Sequence, residues 1–430
     1  MKKPRNPLRR LKTKLKDIRS RHAGRHRPTG FGFVVADRID YLDGAQWDAV
    51  AAHGSVLLSR PVLRVIEAAG PDNVCPRYAL VFLAGRPVAA VVVQVVTVSG
   101  SQVRKKGPPS DSGRSLAVLK RWIAPAAAKA SARLQERLLV AGNLMSWGCH
   151  GVAFAPGHDP AELWPGVAEV LYRIRRAERL SGESDLAMIK DLTPAHGGVE
   201  ALRRFSYRPL ATEPNMVLQL APSWRTYDDY LAALDAKYRR KVKDMAKKLA
   251  ASGCTMERLA GDLTAEAARL HELYLAVQGN ATVRLVTLPP AYLPAMAAAL
   301  GDGFRCTGIR RAGQLVGFVT TVRDGDTAIG YYIGFDRTVA AEGAPLYLQL
   351  LHATIADAIE WRCTRLSLGR TALEPKAGLG AKPEPMAVWV RHRVPAVNWL
   401  LRGLLSAVPH TEAPERNPFK TTAADKAGPA

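Results

Sequence analysis

The chain has 430 residues, of which 47% are hydrophobic and 23% are charged, as in ordinary globular proteins. This length predicts two or three domains, each with its own core. The formal charge of +23 favours polyanionic partners such as nucleic acid, anionic lipid or phosphate-bearing ligands. No apolar run is long enough to span a bilayer, and the N-terminal region lacks the apolar stretch of a secretory signal. We therefore expect a cytoplasmic protein.

The five cysteines are scattered and form no C-x-x-C pair, which indicates free thiols in a reducing compartment rather than a disulfide framework. Cys149 and His150, with His158 nearby, lack a fourth ligand at the spacing of a metal site. No nucleophile elbow, Walker loop or dinucleotide fingerprint occurs, so a serine triad or a nucleotide hydrolase is not expected.

Nearly half of the net charge lies in an N-terminal arm, residues 1–30, which contain twelve Lys or Arg residues and one acid, Asp17. Apolar residues recur in the arm at steps of three and four, as in a short amphipathic helix: Leu8, Leu11, Leu15 and Ile18. The arm is interpreted either as an anchor on the anionic inner face of the membrane or as a disordered basic tail without a specific partner.

Residues 31–200 predict a first α/β domain. Predicted strands lie at 34–39, 78–84, 88–98, 151–155 and 186–192. Predicted helices lie at 44–52, 60–69 and 161–180, with one more within 124–140. Residues 193–222 contain several Pro and Gly residues, and 201–222 are predicted to connect two domains.

The strongest helix signal in the chain lies at 226–251, where Thr226 can cap the start and Gly253 follows the end. Apolar residues repeat along one face: Tyr227, Leu231, Leu234, Tyr238, Val242, Met245 and Leu249. The other face is cationic: Lys237, Arg239, Arg240, Lys241, Lys243, Lys247 and Lys248. This face either binds a polyanionic donor such as tRNA or is a solvated surface.

A second α/β domain is predicted over 223–409. Its further predicted strands lie at 255–259, 304–311, 314–322, 327–335, 364–368 and 386–390. Its further predicted helices lie at 264–277, 291–300, 343–361 and 394–408. Residues 410–430 are predicted to be a disordered tail.

The two predicted domains resemble each other. Ala84-Gly85 and Ala312-Gly313 each form a turn that opens a long apolar strand, and each is followed further on by strand, helix and strand. Each half therefore predicts a mixed sheet flanked by helices, and the pattern indicates an internal duplication.

Residues 227–234 (YDDYLAAL) and 237–241 (KYRRK) are similar to the helix that opens the second domain of FemAB-like proteins in the GNAT superfamily of acyltransferases. The segments 367–371 (SLGRT), 374–376 (EPK) and 380–381 (GA) resemble the strand and loop after the central helix of that domain. The segments 189–192 (IKDL) and 213–216 (EPNM) resemble the join between the domains. This resemblance spans about residues 34–408 and implies two tandem GNAT-like domains, each a mixed α/β (α+β) fold with a central sheet flanked by helices.

The loop that should hold the donor departs from the GNAT pattern Q/R-x-x-G-x-G/A. The corresponding residues 337–345 supply only Gly343 and Ala344 as small residues, although the pattern needs glycines so that backbone N–H groups can reach a pyrophosphate. The donor thus stays open between acetyl-CoA or another acyl-CoA, an acidic acyl carrier protein, and aminoacyl-tRNA as in FemAB relatives. No bound cofactor is expected.

A GNAT-type reaction is a direct attack of an amine on a thioester or ester, and it needs a proton acceptor, an oxyanion site and a proton for the leaving group. Tyr331 or Tyr332 could supply the proton, and strand alternation predicts that only one of the two faces the cleft. Glu374 could act as the base if burial raised its pKa. The predicted donor- or substrate-binding residues are Arg370, Lys376, Lys382, Gly343, Ala344, Tyr347, Arg239 and Arg240.

We therefore predict an N-acyltransferase that moves an acyl group from acyl-CoA or a related thioester to a small-molecule or peptide amine. Two alternatives remain. One is an aminoacyl-tRNA-dependent transferase acting on envelope precursors, and the other is a catalytically inactive GNAT pair that binds anionic surfaces.

Overall fold

The computed structural model describes residues 29–99, 135–259, 261–279, 285–398 and 416–420, together with the isolated residues Lys16 and Ser20. Within these residues thirteen strands form one mixed sheet. The strands of the first half are β1 (Gly32–Ala36), β2 (Val74–Leu83), β3 (Arg86–Ser99), β4 (Gln135–Ala141), β5 (Val152–Phe154), β6 (Ser184–Leu192) and β7 (Arg208–Gln219). Those of the second half are β8 (Cys254–Leu259), β9 (Phe304–Arg311), β10 (Gln314–Asp324), β11 (Thr327–Phe335), β12 (Arg365–Ser367) and β13 (Lys382–His392).

Helices connect the strands and cover the sheet. In the first half they are Gly44–Ala51, Arg60–Ala69 and Pro160–Ala177. In the second half they are Tyr227–Ala233, Ala236–Ala251, Ala267–Gln278, Tyr292–Leu300, Arg337–Ala341, Leu346–Glu360 and Leu373–Ala377. Short 3-10 turns lie at Ile39–Tyr41, Val56–Leu58, Glu178–Ser181, Val199–Phe205, Leu263–Glu266 and Gly301–Gly303. This mixture confirms the predicted fold class.

The strand order is symmetric about the centre of the sheet: β1-β2-β3-β4-β6-β13-β7-β12-β11-β10-β9-β8, with β5 added on β3. Each half contributes an antiparallel block and then one parallel pair, β4 with β6 and β11 with β12. The last strand of each half is exchanged, because β7 pairs with β12 of the second half and β13 pairs with β6 of the first. β7 and β13 then pair with each other, so one sheet runs through both halves.

The buried apolar residues form a core that also joins the halves. One cluster packs the first-half helices Gly44–Ala51 and Arg60–Ala69 against the second-half helices Ala267–Gln278 and Tyr292–Leu300. A separate cluster packs Pro160–Ala177 on the strands of the first half. Two further clusters pack Leu346–Glu360 in the second half. A parallel pair needs a crossover connection, and Pro160–Ala177 and Leu346–Glu360 provide it for β4–β6 and β11–β12.

The duplicated turns have the same backbone conformation. Ala84 and Ala312 both have φ of 49°, and Gly85 and Gly313 have φ of 77° and 79°. Positive φ at both central residues is typical of the two-residue hairpin turn whose twist matches that of the strands. The turn between β2 and β3 is therefore equivalent to the turn between β9 and β10.

Three predicted segments differ from the structure. Residues 135–141, at the end of a predicted helix, form β4 instead. The predicted connector 201–222 contains β7, which lies at the centre of the sheet. The predicted helix 226–251 is interrupted at Leu234 and Asp235, because their backbone pairs with residues 418–420 of the predicted disordered tail.

That pairing holds residues 418–420 against the second half. Asp235 N–H donates to the Pro418 carbonyl at 2.8 Å, and Lys420 N–H donates to the Ala233 carbonyl at 3.0 Å. The Phe419 ring packs on Trp224, with ring centroids 5.6 Å apart. Most of the predicted amphipathic helix of the arm, residues 100–134 and most of the predicted helix 394–408 lie outside the described residues.

The left-handed alanines of the two equivalent turns give a first prediction. Ala84→Asn and Ala312→Asn should each raise the free energy of unfolding by about 0.5–1 kcal/mol, because asparagine tolerates positive φ better than alanine. Denaturant unfolding of the full chain measures the change, and the slope m should stay constant. Gly85→Ala should have the opposite effect. Loss of stability in both asparagine variants would contradict the left-handed conformation, and opposite changes in the two variants would contradict the equivalence of the turns.

Candidate functional site

The parallel strands β11 and β12 separate after three residue pairs, which join residues 327–329 to residues 365–367. Beyond that point β11 continues to Phe335, and among the described residues only β10 pairs with it there. Gly330 lies where the strands separate, and a Cβ atom at this position would have its nearest contacts at 3.6 Å. Residues 330–335 therefore present one backbone edge to a notch between the two strands.

The equivalent position in the first half is filled. β4 and β6 separate after Ala141 and Ile189, and the next residues are Gly142 and Lys190. A Cβ atom on Gly142 would lie 2.7 Å from the Lys190 Cβ, and only 6% of the Lys190 side chain is exposed. In the second half the Leu368 and Thr354 side chains lie at ordinary van der Waals distance, 3.6 Å, from the Cβ position of Gly330, and the feature that differs is the β11 edge beyond it, which no described strand pairs with on this side.

Tyr331 and Tyr332 lie on the same side of β11, so the prediction that alternation separates them is wrong. The register between β10 and β11 shifts here, since Val319 pairs with Ile333 while Thr321 pairs with Gly330. Both tyrosines therefore oppose the single residue Thr320, as in a β-bulge. Their ring centroids are 4.7 Å apart.

The hydroxyl groups of both tyrosines are hydrogen-bonded. The Tyr331 and Tyr292 hydroxyl oxygens are 2.7 Å apart, and the Tyr332 hydroxyl donates to the Met145 carbonyl at 2.9 Å. Burial raises the pKa of Tyr331 and of Tyr332 well above the ordinary value. Both side chains are therefore protonated at neutral pH and have the chemistry of proton donors.

A loop of the first half closes one side of the notch. The Trp147 Nε1–H donates to the Ser367 hydroxyl at 3.2 Å, and the Trp147 ring packs against Gly369. Gly369 has φ of 79°, and a Cβ atom there would lie 2.9 Å from the indole ring. Asn215 Oδ1 accepts from the Gly369 N–H at 3.0 Å and from the Ser367 hydroxyl at 3.1 Å. Glycine is therefore required at position 369 by both backbone conformation and space.

Arg370, a predicted binding residue, contacts a buried ion pair of the first half. Its Nη1 lies 3.1 Å from Asp191 Oδ1, and Asp191 Oδ2 accepts from Lys190 Nζ and from the Gly148 N–H. Lys190 Nζ also donates to the Ser146 carbonyl at 2.6 Å. The Asp191 side chain is fully buried, whereas 31% of the Arg370 side chain is exposed. The guanidinium thus joins a buried charge cluster to the solvent side of the notch.

The protonation states of this cluster follow from its contacts. Burial alone would raise the pKa of Asp191, but the charges of Lys190 and Arg370 and the hydrogen bonds hold it below the ordinary value. Burial lowers the pKa of Lys190, and Asp191 opposes that effect. Asp191 has φ of 54°, matching the left-handed Gly369 at the equivalent position of the second half.

Lys376 comes after Arg370 in the sequence and lies on the short helix Leu373–Ala377. Its exposed fraction is 3%. Burial lowers its pKa to about 7, and no charged neighbour contributes to the shift. Glu374 on the same helix has half of its side chain exposed and pairs with Arg416, so it lacks the burial that we required of a base. Lys382, at the start of β13, is exposed.

The other predicted residues lie farther along the second half. Gly343 is exposed with φ of 101°, and Ala344 is buried just before the helix Leu346–Glu360. Tyr347 packs on Phe335 at the end of β11, with ring centroids 6.0 Å apart, and burial raises the pKa of Tyr347 to about 12. Arg239 donates to the Ala232 carbonyl at 3.2 Å, and Arg240 is exposed.

The structure thus brings Tyr331, Tyr332 and Arg370 together with residues that sequence reasoning did not select as site residues. These are Met145, Trp147, Lys190, Asp191, Asn215 and Tyr292. One signal was available, because Lys190-Asp191 is a charged pair in an otherwise apolar strand. Among the described residues no cluster of His, Cys, Asp or Glu is placed to hold a metal ion, and no described helix is long and apolar enough to cross a membrane.

The buried lysine gives a prediction about pH. An unfolded lysine keeps its proton up to about pH 10.4, whereas folded Lys376 releases it near pH 7. Between these values the unfolded state binds more protons, so stability from this site rises with pH, by up to about 1.4 kcal/mol per pH unit. Lys376→Met removes the titration. The stability of the parent chain relative to this variant should increase between pH 7.5 and 9.5 in denaturant unfolding, and a constant difference would contradict a neutral Lys376.

The chain is similar to one known protein family in part of its sequence and to solved structures in its fold. The family model described as an acetyltransferase (GNAT) domain matches residues 236–377. The crystal structure of FemX matches 84% of this chain and 98% of its own, with 11% identity and a TM-score of 0.51. A tandem GNAT protein from the clavulanic acid biosynthesis pathway matches 85% of this chain and 99% of its own, with 13% identity and a TM-score of 0.47. No curated protein matches the sequence. Residues 236–377 thus match a GNAT domain, and the chain as a whole has a fold similar to that of FemX.

Proposed function

We propose that the protein is an N-acyltransferase that moves an acyl group from an acyl-CoA or a related thioester to a small-molecule or peptide amine. The observation that carries the proposal is the notch between β11 and β12, which has an open backbone edge at residues 330–335. The matched GNAT domain includes both strands. The proposed transfer is a direct attack of the amine on the thioester, without a covalent enzyme intermediate.

The chemistry of the notch favours a thioester of pantetheine. The pantetheine arm contains two amide groups, and an amide-bearing chain can pair with an unpartnered strand edge as an added strand does. Residues 330–335 supply such an edge, and the loop of Trp147 closes the notch beside it. An ester-linked donor such as aminoacyl-tRNA has no comparable row of amides at its reactive end.

The residues around the notch can divide the work of the reaction. Arg370 would stabilise the charge that develops on the thioester oxygen, because four of its five N–H donors are not used by Asp191. Tyr331 or Tyr332 would donate a proton to the leaving thiolate, since both are protonated at neutral pH. For the proton acceptor, the buried Lys376 of the following helix, whose pKa burial lowers to about 7, is better suited than the exposed Glu374.

One observation favours the second candidate, transfer from aminoacyl-tRNA. The helix Ala236–Ala251 carries seven Lys or Arg side chains, and none of them has an acidic partner within 4 Å in the described part of the chain. Unpaired cations on one helix are suited to a polyanion. Their place on the second half, away from Arg370, makes them a docking surface rather than part of the notch.

The side chain of Arg370 gives the test. Arg370→Met should lower kcat/KM for the productive donor by about 10- to 1,000-fold, as expected when a group that stabilises an oxyanion is removed. The comparison variant is Arg393→Met, which removes an ion pair with Asp185 outside the notch. Because Asp185 is 30% exposed and Asp191 is fully buried, the melting temperature of both variants is measured to separate a folding defect from a kinetic one. Steady-state kinetics with acetyl-CoA, longer acyl-CoAs and aminoacyl-tRNA measure the effect.

The donor series separates the candidates. Turnover with an acyl-CoA that is lost only in the Arg370 variant supports the thioester reaction. Turnover with aminoacyl-tRNA alone would move the assignment to the second candidate. If no donor reacts and none raises the melting temperature of the full chain, the inactive pair that binds anionic surfaces becomes the better interpretation.

A further inference from the structure

Two lysines are buried in the described part of the chain, and they differ in what surrounds the amine. Lys190 is 5% exposed and Lys376 is 3% exposed. Lys190 Nζ pairs with the Asp191 carboxylate and donates to the Ser146 carbonyl at 2.6 Å. The pKa of Lys376 is lowered by burial, and no hydrogen bond or neighbouring charge opposes that effect. The contacts of Lys190 therefore stabilise its charged form, whereas no described group does so for Lys376.

The Lys376 amine keeps accessible surface although most of its side chain is covered. In the described part of the chain, the side-chain atoms that lack both a hydrogen-bond partner and accessible surface include Gln349 Nε2 and Arg365 Nε, but not Lys376 Nζ. An ordinary lysine, with a pKa of about 10.4, is almost fully protonated at neutral pH, whereas Lys376, with a pKa of about 7, is neutral in about half of the molecules. A neutral, desolvated lysine amine is a nucleophile.

The topology places this amine at the end of the sheet where the notch opens. β11 and β12 are parallel, and the notch lies beyond their last residue pair. The helix Leu373–Ala377 follows the carboxyl end of β12 in the chain. The Lys376 carbonyl accepts from the Ala381 N–H at 3.2 Å, and the next residue, Lys382, pairs with Val217 of β7, the neighbour of β12. Lys376 is thus anchored beside the strands that border the notch.

A thioester in the notch can react with this amine in one balanced step. The Nζ lone pair attacks the thioester carbonyl carbon, a C–N bond forms and the C–S bond breaks. The sulfur leaves as the free thiol with the proton that Nζ gives up, so no oxidant or reductant is needed. The product is an amide on Lys376. An amide carries no charge, so it avoids the cost of a buried, unpaired ammonium group.

We infer that a thioester bound in the notch acylates Lys376 when no acceptor amine is present, and that this modification switches the site off. The inference rests on the proposed function, because it uses the same donor and the same notch. An amide nitrogen does not accept a proton, so acylation removes the role of proton acceptor proposed for Lys376. Excess donor without acceptor therefore inactivates the enzyme.

Mass spectrometry of the full chain tests the inference after incubation at pH 7.5 with acetyl-CoA or longer acyl-CoAs and without an amine acceptor. One acyl group per chain should appear, and peptide mapping should place it on Lys376. Two internal controls, the buried but paired Lys190 and the exposed Lys382, should be modified at least about tenfold less. Lys376→Met should remove the modification in a chain whose melting curve shows that it is folded.

A second comparison separates reaction in the notch from reaction with donor in solution. Arg370→Met should slow acylation by the acyl-CoA about 10- to 1,000-fold, because Arg370 is proposed to stabilise the oxyanion. Arg393→Met, outside the notch, should not slow it. N-acetoxysuccinimide, an acylating reagent that needs no bound donor, should modify Lys376 at a similar rate in all three chains, which shows that the amine is equally accessible in each of them.

The modified chain gives two further readouts. Its kcat should fall in proportion to the occupancy of Lys376, and its unfolding should lose the dependence on pH that is assigned to this lysine. Turnover of an acyl-CoA, followed as release of free CoA, with Lys376 left unmodified would overturn the inference and leave the proposed function intact. Equally fast acylation in the Arg370 variant would also overturn it. If no acyl-CoA is turned over and none modifies Lys376, the proposed function fails together with the inference.

Discussion

The exchange of the last strand between the two halves is the constraint on which the rest of the structure depends. β7 leaves the first half to pair with β12, β13 returns from the second half to pair with β6, and the two exchanged strands pair with each other. Without β13, the edge of β6 would lack the strand that completes it, and the same holds for β12 without β7. Because unpaired backbone groups are costly when buried, neither half can complete its sheet alone.

The exchange also places the candidate site. It brings β6, which carries Lys190 and Asp191, next to β13 and within reach of the loop that carries Arg370. A fully buried carboxylate is tolerated only when it is paired, and Asp191 is paired with both Lys190 and Arg370. The left-handed residues Asp191 and Gly369 lie at equivalent points of the two halves, just where the parallel strands separate. The two equivalent points differ in packing, because Lys190 lies tightly against Gly142 in the first half, whereas Gly330 has neighbours at ordinary van der Waals distance in the second.

Sequence patterns predicted most strands and the tandem fold because hydrophobic periodicity and turn residues are local. The turns Ala84-Gly85 and Ala312-Gly313 could be aligned for that reason. The strand β7 was missed because its prolines and polar residues are typical of a connector, and only pairing with β12 and β13 makes it central. The interruption at Leu234 could not be predicted either, since it depends on residues 418–420, far away in sequence.

The site was predicted only in part, because sequence patterns report local features, whereas the site depends on contacts between distant segments. Arg370 and Lys376 stand out as charges after a buried strand, and the structure places Arg370 at the notch and Lys376 in a buried position nearby in sequence. The bulge at Tyr331 and Tyr332 is a matter of register with β10, which the sequence of β11 alone does not contain. Trp147, Asp191 and Asn215 reach the notch only through the fold, because each comes from the first half of the chain.

The most direct test of a sheet shared by both halves is native-state hydrogen exchange of the full chain in increasing denaturant. If both halves share the sheet, the amides of β6, β7, β12 and β13 should exchange through one opening reaction, at the free energy of global unfolding. Two separate reactions, one for the strands of each half, would show that the halves unfold independently and would contradict the exchanged-strand account.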